Sequence, residues 1–552
     1  MALTAIATVA VVHLVTSDSS DEDIYLSDDI RPMEYVALNS FFEDNPVDVE
    51  REEWEYINPY YEQYSPTENT SNFHSHATAV YENINGRTVT VDTLYRNYGE
   101  ALNDPNYSLA VLIYQGIQYK IAHPDENVEI SFSALRFSPT LGACLNPSSP
   151  YYGYVKAMYD EDCDANGFVR ISYLFVEAAR LGIKVNILAS KESYGTKQYN
   201  NETGKTYTHA EPHFKTYFDK AYDYSCYDEY APGKKVSDFL TVRQVEWAYK
   251  DKGDAEIVHV KTCAVSAYRD KYGVDHEYGV WFSSTNLDTA NYKGHNANGC
   301  SQSGMIISNH PDIYNVSKNY LLLTMQYYER EAVFEFRRVA KEMTEKQIYA
   351  HLNGTIDSIP YEERIVYLGT ENDNVFEAYF TPLSGNVDDW DTTLNPYCKY
   401  VQEFYNSDNN EDVIFSFNNA NFTNKFQVSN LLVEAIEYKF IENKRPGNKL
   451  NLRCQNGEFP TLLELKAGKD LSYVNIKTKT SEHVHEKDIL MSYVIDGERK
   501  YVSILNSCNF NSGALFYQTN HIIVIKETEE TGHTVFSSLI DKETKGNITC
   551  AE

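Results

Sequence analysis

The nonapeptide SYLFVEAAR at residues 172–180 returns, altered but recognisable, as SNLLVEAIE at 429–437. Both copies sit in stretches with apolar residues at helical spacing, 168–181 and 427–441. Two short runs that read as strands flank each copy: VEISFSALRF (128–137) and KVNILAS (184–190) around the first, DVIFSFN (412–418) and NKLNLR (448–453) around the second. Alternating or continuous apolar runs of this length signal strands, and recurrence every three or four residues signals a helix. Gly182 after the first helix and Pro446-Gly447 after the second are stop signals. Strand–helix–strand written twice predicts a duplicated α/β protein with a parallel layer in each copy. The length agrees, since 552 residues are too many for one hydrophobic core.

A duplicated fold should repeat its chemistry, and it does. EIVHVKTCAV (256–265) and EHVHEKDIL (482–490) both contain His-x-Lys. Every second side chain of a strand shares a face, so His259 pairs with Lys261, and His485 with Lys487. Each is followed by a hydrophobic strand ending in Ser-x-Asn: VWFSSTNLD (280–288) with Ser284 and Asn286, and VSILNSCNF (502–510) with Ser507 and Asn509. His483 beside His485 invites a zinc reading, but Ile257 stands at the matching place in the first copy and no partner acid or His repeats there. No metal is expected. ETGKT (202–206) mimics the end of a P-loop, yet Tyr199 stands where the first Gly belongs, and no Gly-x-Ser-x-Gly elbow occurs. Cys263 and Cys508 read as small buried fillers.

The two constellations resemble the paired HKD motifs of the phospholipase D superfamily, in which His-x-Lys is followed by an Asp and then by Gly-Ser-x-Asn. With the strand–helix–strand units, the resemblance runs from roughly residue 80 to the C-terminus. It implies duplicated α/β/α lobes with pseudo-twofold symmetry and one composite active site. The implied chemistry is phosphodiester hydrolysis through a phosphohistidine, with no cofactor. His259 is then the nucleophile and His485 the general acid/base. Lys261, Lys487, Asn286 and Asn509 hold the non-bridging oxygens, and Ser284 and Ser507 contact substrate. The logic is sound for an anionic ester: fixed cations offset its charge, and a neutral nucleophile splits one hard displacement into two. The pattern departs in places. Five residues after each Lys stand Ser266 and Ser492, leaving Asp270, Asp275 and Asp496 as displaced substitutes. The Gly before Ser is Ser283 or Asn506. The acid that orients the histidine in the family is replaced by Gln302 in one copy, and by Gln518 or His521 in the other.

Charge narrows the substrate. Eighty acids against 48 bases give a formal net charge of −32. Such a field opposes long polyanions but admits a small anionic headgroup at a local basic site. A phospholipid is therefore the preferred substrate. A secreted single-strand nuclease, with nucleic acid the less favoured partner, and a catalytically inactive binding protein are the alternatives. Residues 1–17 read as a signal peptide whose apolar run is too short to span a bilayer, so a secreted or lumenal location is expected, without a transmembrane segment. Sequons at Asn69, Asn106, Asn201, Asn315, Asn353, Asn421 and Asn547 are compatible with a glycoprotein. Nine scattered cysteines form no CxxC pair. The expected layout is an acidic arm over 18–75, a first lobe over 76–320, a helical connector over 321–370 and a second lobe over 371–552. Nothing in the sequence sets the oligomeric state.

Overall fold

The computed structural model describes, apart from single residues, 73–96, 105–137, 169–190, 218–245, 258–287, 301–329, 374–381, 396–422, 427–454, 484–510 and 518–544. It also describes the short pieces 142–143, 195–200, 205–210, 248–250, 254–256 and 475–478, and Ala514. The signal peptide, nearly all of the acidic arm, His483 and most of the connector lie outside the described residues.

In chain order the first lobe comprises β1 (Ala77–Ile84), β2 (Arg87–Arg96), α1 (Pro105–Ala122), β3 (Glu129–Ala134), α2 (Ile171–Arg180), β4 (Lys184–Ser190), β5 (Leu240–Val245), β6 (Thr262–Arg269), β7 (Asp275–Ser283), β8 (Gln302–Ser308) and α3 (Pro311–Glu329). The second comprises β9 (Phe376–Phe380), α4 (Pro396–Asn406), β10 (Ile414–Asn419), α5 (Gln427–Glu437), β11 (Lys449–Cys454), β12 (Asn475–Thr478), β13 (Lys487–Ile495), β14 (Glu498–Asn506), β15 (His521–Thr528) and α6 (Thr534–Thr544). The sheet orders are β1-β2-β8-β7-β6-β3-β4-β5 and β9-β15-β14-β13-β10-β11-β12. Without the extra edge strand β1, the two orders match strand for strand. The parallel pairs match as well: β3–β4–β5 in one sheet and β10–β11–β12 in the other. The helices fall at the same places in both copies, so the duplication extends well beyond the shared nonapeptide.

Three apolar clusters follow from strand alternation. Cys263, Val265, Trp281 and Ile306 face outward against α1 and α2, while Phe417, Ile489, Met491 and Tyr493 face outward against α4 and α5. The alternate residues, among them Val260, Ala264, Met305, Leu490, Leu505 and Ile523, face a shared middle layer that also holds apolar residues of α3 and α6. The result is an α/β/α/β/α stack in which two sheets share one inner core. Helix α2 ends as expected: Gly182 takes φ +78, and Ile183 N donates to Ala178 O at 3.0 Å. Helix α3 runs through the lobe boundary expected at 320/321. It lies against the inner face of the first sheet, where Tyr320 stacks on Phe380 of the second.

Close approach near the seam makes one glycine testable. A Cβ on Gly304 of β8 would meet Phe282 O at 2.6 Å and Ser283 Cβ at 3.1 Å. Gly304→Ala is expected to cost about 1–3 kcal/mol in denaturant unfolding, because backbone rather than a flexible side-chain end must give way.

Candidate active site at the lobe seam

Both His-x-Lys segments end a lobe's approach to the seam and lead directly into β6 or β13. Just before each His the chain crosses to the other lobe. Val258 bridges Thr519, and His259 N donates to Thr519 O at 2.9 Å; Val484 bridges Ser301, and His485 N donates to Ser301 O at 3.0 Å. The two crossings are counterparts under the pseudo-twofold relation. Each also places a histidine next to a carboxamide of the opposite lobe. His259 Nδ1 lies 2.7 Å from Asn520 Oδ1, and His485 Nδ1 lies 3.1 Å from Gln302 Oε1.

The hydrogen-bond partners fix how these groups are protonated. Asn520 Nδ2 donates to Ala514 O (2.9 Å) and Thr381 Oγ1 (3.3 Å), so its Oδ1 must face the imidazole. A carbonyl oxygen only accepts, so His259 carries its proton on Nδ1; the ring also meets the main chain of Ser507. On the other side Ser303 N donates to Ser284 Oγ (3.1 Å), and Ser284 donates to Gln302 Oε1 (2.7 Å). Ser507 repeats the arrangement, accepting from His521 N (3.2 Å) and donating to Asn520 Oδ1 (3.0 Å). Ser284 and Ser507 were expected to contact substrate. Their hydroxyls are buried and hold the orienting carboxamides instead.

Asn520 is the residue that sequence reasoning missed, since Gln518 and His521 were the two choices there. The strand register decides the matter. Ser284 N bonds to Ser303 O and Ser507 N to His521 O, which makes Gln302 and Asn520 equivalent. Gln518 instead gives its main-chain carbonyl to Thr381 Oγ1, and the His521 ring packs on Phe282. The displaced acids also find other work. Asp270 caps the β6–β7 hairpin through Tyr272 N (2.8 Å) and Val274 N (2.9 Å), Asp275 pairs with Arg269 and His123, and Asp496 forms the β13–β14 turn at φ 54. All three lie at the far ends of their strands, about eight or more residues from the lysines, or some 25 Å along an extended strand.

Lys261 and Lys487 are fully buried, and each Nζ donates to the carbonyl of its own motif histidine at 2.9 Å. The residue after each motif Asn bridges to the segment beyond β3 or β10, Leu287 with Phe137 and Phe510 with Phe422. That pins Asn286 and Asn509 at the same level in the two lobes. Asn286 is fully buried and receives Asn106 Nδ2 on its main-chain oxygen at 3.2 Å, while Asn509 is half-buried. Burial, reinforced by the positive charges of Lys261 and Lys487, holds His259 well below the usual imidazole range. His259 is therefore neutral near pH 7, as a nucleophile requires. The Cys263 and Cys508 thiols are pushed well up by burial, which leaves them unreactive. Among the described residues Cys226, Cys263, Cys398, Cys454 and Cys508 are buried. Asn106 is itself fully buried, so its sequon is closed to a glycan in this fold. Among the described residues no helix is long and apolar enough to cross a membrane.

Apart from the extra edge strand β1, two lobes of the same strand order each deliver His-x-Lys and Ser-x-Asn to a common seam, the arrangement that the resemblance to the phospholipase D superfamily implies. Solved structures similar to this chain include phosphatidylserine synthase from Haemophilus influenzae, at 10% identity over 86% of this chain and 88% of that one, with TM-score 0.41. Polyphosphate kinase from Porphyromonas gingivalis is similar at 12% identity over 83% of this chain, with TM-score 0.37, and the match spans only 50% of the kinase chain. Yeast tyrosyl-DNA phosphodiesterase is similar at 7% identity over 78% of this chain and 89% of that one, with TM-score 0.32. No family model and no curated protein matches the sequence.

Proposed function

We propose that the protein is a phosphodiesterase of phospholipase D type. The observation that carries this reading is the crossed seating of the histidines, each oriented by a carboxamide from the opposite lobe. In the first step His259 Nε2 attacks phosphorus. An N–P bond forms, the P–O bond to the leaving alcohol breaks, and His485 gives that oxygen a proton. In the second step neutral His485 takes a proton from water, the hydroxide adds to phosphorus, and the N–P bond breaks to free His259. Lys261, Lys487, Asn286 and Asn509 hold the non-bridging oxygens, whose charge shifts as the displacement proceeds. A carboxamide cannot accept the imidazole proton, so Gln302 and Asn520 orient without sharing charge.

A phospholipid is the preferred substrate, because a compact cationic site in a chain of net charge −32 suits a small headgroup better than a long polyanion. Headgroup release from phosphatidylcholine and phosphatidylglycerol vesicles, run beside cleavage of short labelled oligonucleotides, separates the two substrate classes. If neither is turned over faster than by the His259→Ala and His485→Ala proteins, the inactive binding reading replaces this one. Secretion through residues 1–17 remains part of the same proposal, and cleavage near Val15–Ser17 in secreted material tests it.

The carboxamide beside His259 predicts a pH signature. With His259 neutral well below pH 6.5, the acid limb of kcat/KM should lie on the acid side of that value. Asn520→Asp puts a carboxylate against Nδ1, favours the imidazolium, and should move that limb up by about one pH unit or more. An unmoved limb in the pH–rate profile would mean that His259 is not the group titrating.

A further inference from the structure

A second polar cluster at the seam takes no part in the chemistry above. His485 and Lys487 point into the site, so the alternate residues Glu486 and Asp488 point the other way, between the sheets. Both are fully buried, as is Glu543 near the end of α6. Glu486 has a cation beside it: it accepts the Tyr95 hydroxyl from β2 and forms an ion pair with Arg453 of β11 at 3.3 Å, although its Oε2 makes no hydrogen bond. Arg453 also donates to Tyr95 Oη (3.2 Å) and Glu543 O (3.1 Å).

The other two acids are not satisfied as carboxylates. Asp488 Oδ1 accepts Asn418 Nδ2 at 2.9 Å, and Glu543 Oε2 accepts Ser416 Oγ at 2.7 Å. Asp488 Oδ2 and Glu543 Oε1 are buried and receive no donor. Ser416 and Asn418, joined to each other at 3.3 Å, tie the two carboxyl groups together as neighbours. Two adjacent buried carboxyls, each with an oxygen that receives no donor, favour keeping a proton on one of them. We infer that Asp488 and Glu543 form a proton-binding site at the lobe seam, and that the proton they share latches α6 to the catalytic strand β13.

The surroundings support a latch. The groups facing the pair are Glu486 on β13, Arg453 and Asn451 on β11, Ser416 and Asn418 on β10, Tyr95 on β2 and Ser303 on β8. Arg453 is the only formal cation among these, and Glu486 already engages it. Burial, with Glu486 nearby, pushes Asp488 up to about 7, and burial with both neighbours pushes Glu543 well above the usual carboxyl range. Asp488 follows Lys487, and Ser303 follows Gln302, so the latch lies directly behind the seat of His485. Losing the proton leaves two carboxylates side by side in a dry layer, which drives α6 and β13 apart.

The direction with pH follows. In the unfolded chain both acids ionise near their ordinary values, whereas the folded pair keeps a proton to about neutrality. Folding therefore takes up a proton, and stability falls as pH rises from about 4 to about 7 before levelling off. Buried neutral His259 and His521 act oppositely below pH 6.5, so wild type is compared with variants that leave them intact. Asp488→Asn and Glu543→Gln each supply a permanent donor in place of the proton. Their advantage over wild type in unfolding equilibria should grow about tenfold per pH unit from pH 5 to 7, then flatten. Wild-type infrared spectra should show a protonated-carboxyl band that fades through neutral pH and is missing from the double variant. A pH-independent advantage in both variants, or no such band in wild type, would overturn the proposal. So would millimolar Mg²⁺ or Ca²⁺ raising the wild-type midpoint but not the variants', since the cluster would then hold a cation. None of these readouts needs a substrate, so they stand or fall separately from the enzyme reading.

Discussion

His259→Ala is expected to lower phosphodiester turnover by about a thousandfold or more while leaving the far-ultraviolet spectrum and thermal midpoint near wild type. In the proposed mechanism the imidazole forms the first covalent bond, and its deletion removes a polar ring from a pocket whose partner, Asn520, keeps its bonds to Ser507, Thr381 and Ala514. The companion His485→Ala protein should behave differently. Its first step lacks an acid and its second lacks a base, so rapid quenching after addition of a phosphodiester with a good leaving group should trap phosphate on His259. Alkali-stable, acid-labile label at residue 259 is the measurement. Label on any other residue would reassign the nucleophile, and turnover left intact in His259→Ala would remove the mechanism altogether.

The largest effect on stability is expected from Arg453→Ala, about 3–5 kcal/mol in denaturant unfolding. Arg453 is 3% exposed, pairs with fully buried Glu486 and spans the seam to Tyr95. Its deletion leaves an anion without its cation between two sheets, beside a second pair of acids. The double variant Arg453→Ala/Glu486→Gln should recover a large part of the loss, because the cost lies in the abandoned charge rather than in the missing contact. Additive losses in that cycle would show that the two residues act independently.

Much of the architecture was legible because it is written in local periodicity. KVNILAS forms β4 at the expected residues, and the two nonapeptides form α2 and α5 as equivalent helices. The paired His-x-Lys and Ser-x-Asn segments also fall where a duplicated chain should put them. What depends on register across the seam was not legible. Asn520 has no local mark that distinguishes it from Gln518 or His521; only the pairing of β14 with β15 shows which of the three faces an imidazole. The hydrogen bonds of Ser284 and Ser507 depend on register in the same way, since their hydroxyls point at groups contributed by neighbouring strands. Glu486 and Asp488 look like ordinary polar strand residues in EHVHEKDIL, and their burial follows from a second sheet that the local sequence does not mention.

The crossed seating of the histidines has a consequence for the order in which the chain is made. The segment bearing His259 is synthesised more than two hundred and fifty residues before Asn520, and α6 follows later still. A nascent or truncated polypeptide holding a completed first lobe has its nucleophile but not the group that aims it. On the proposed mechanism competence therefore waits until the chain has passed residue 520, and a fragment cut before that residue lacks the group that orients His259. Separately expressed halves should regain the seam only when mixed, as complementing pieces of one site.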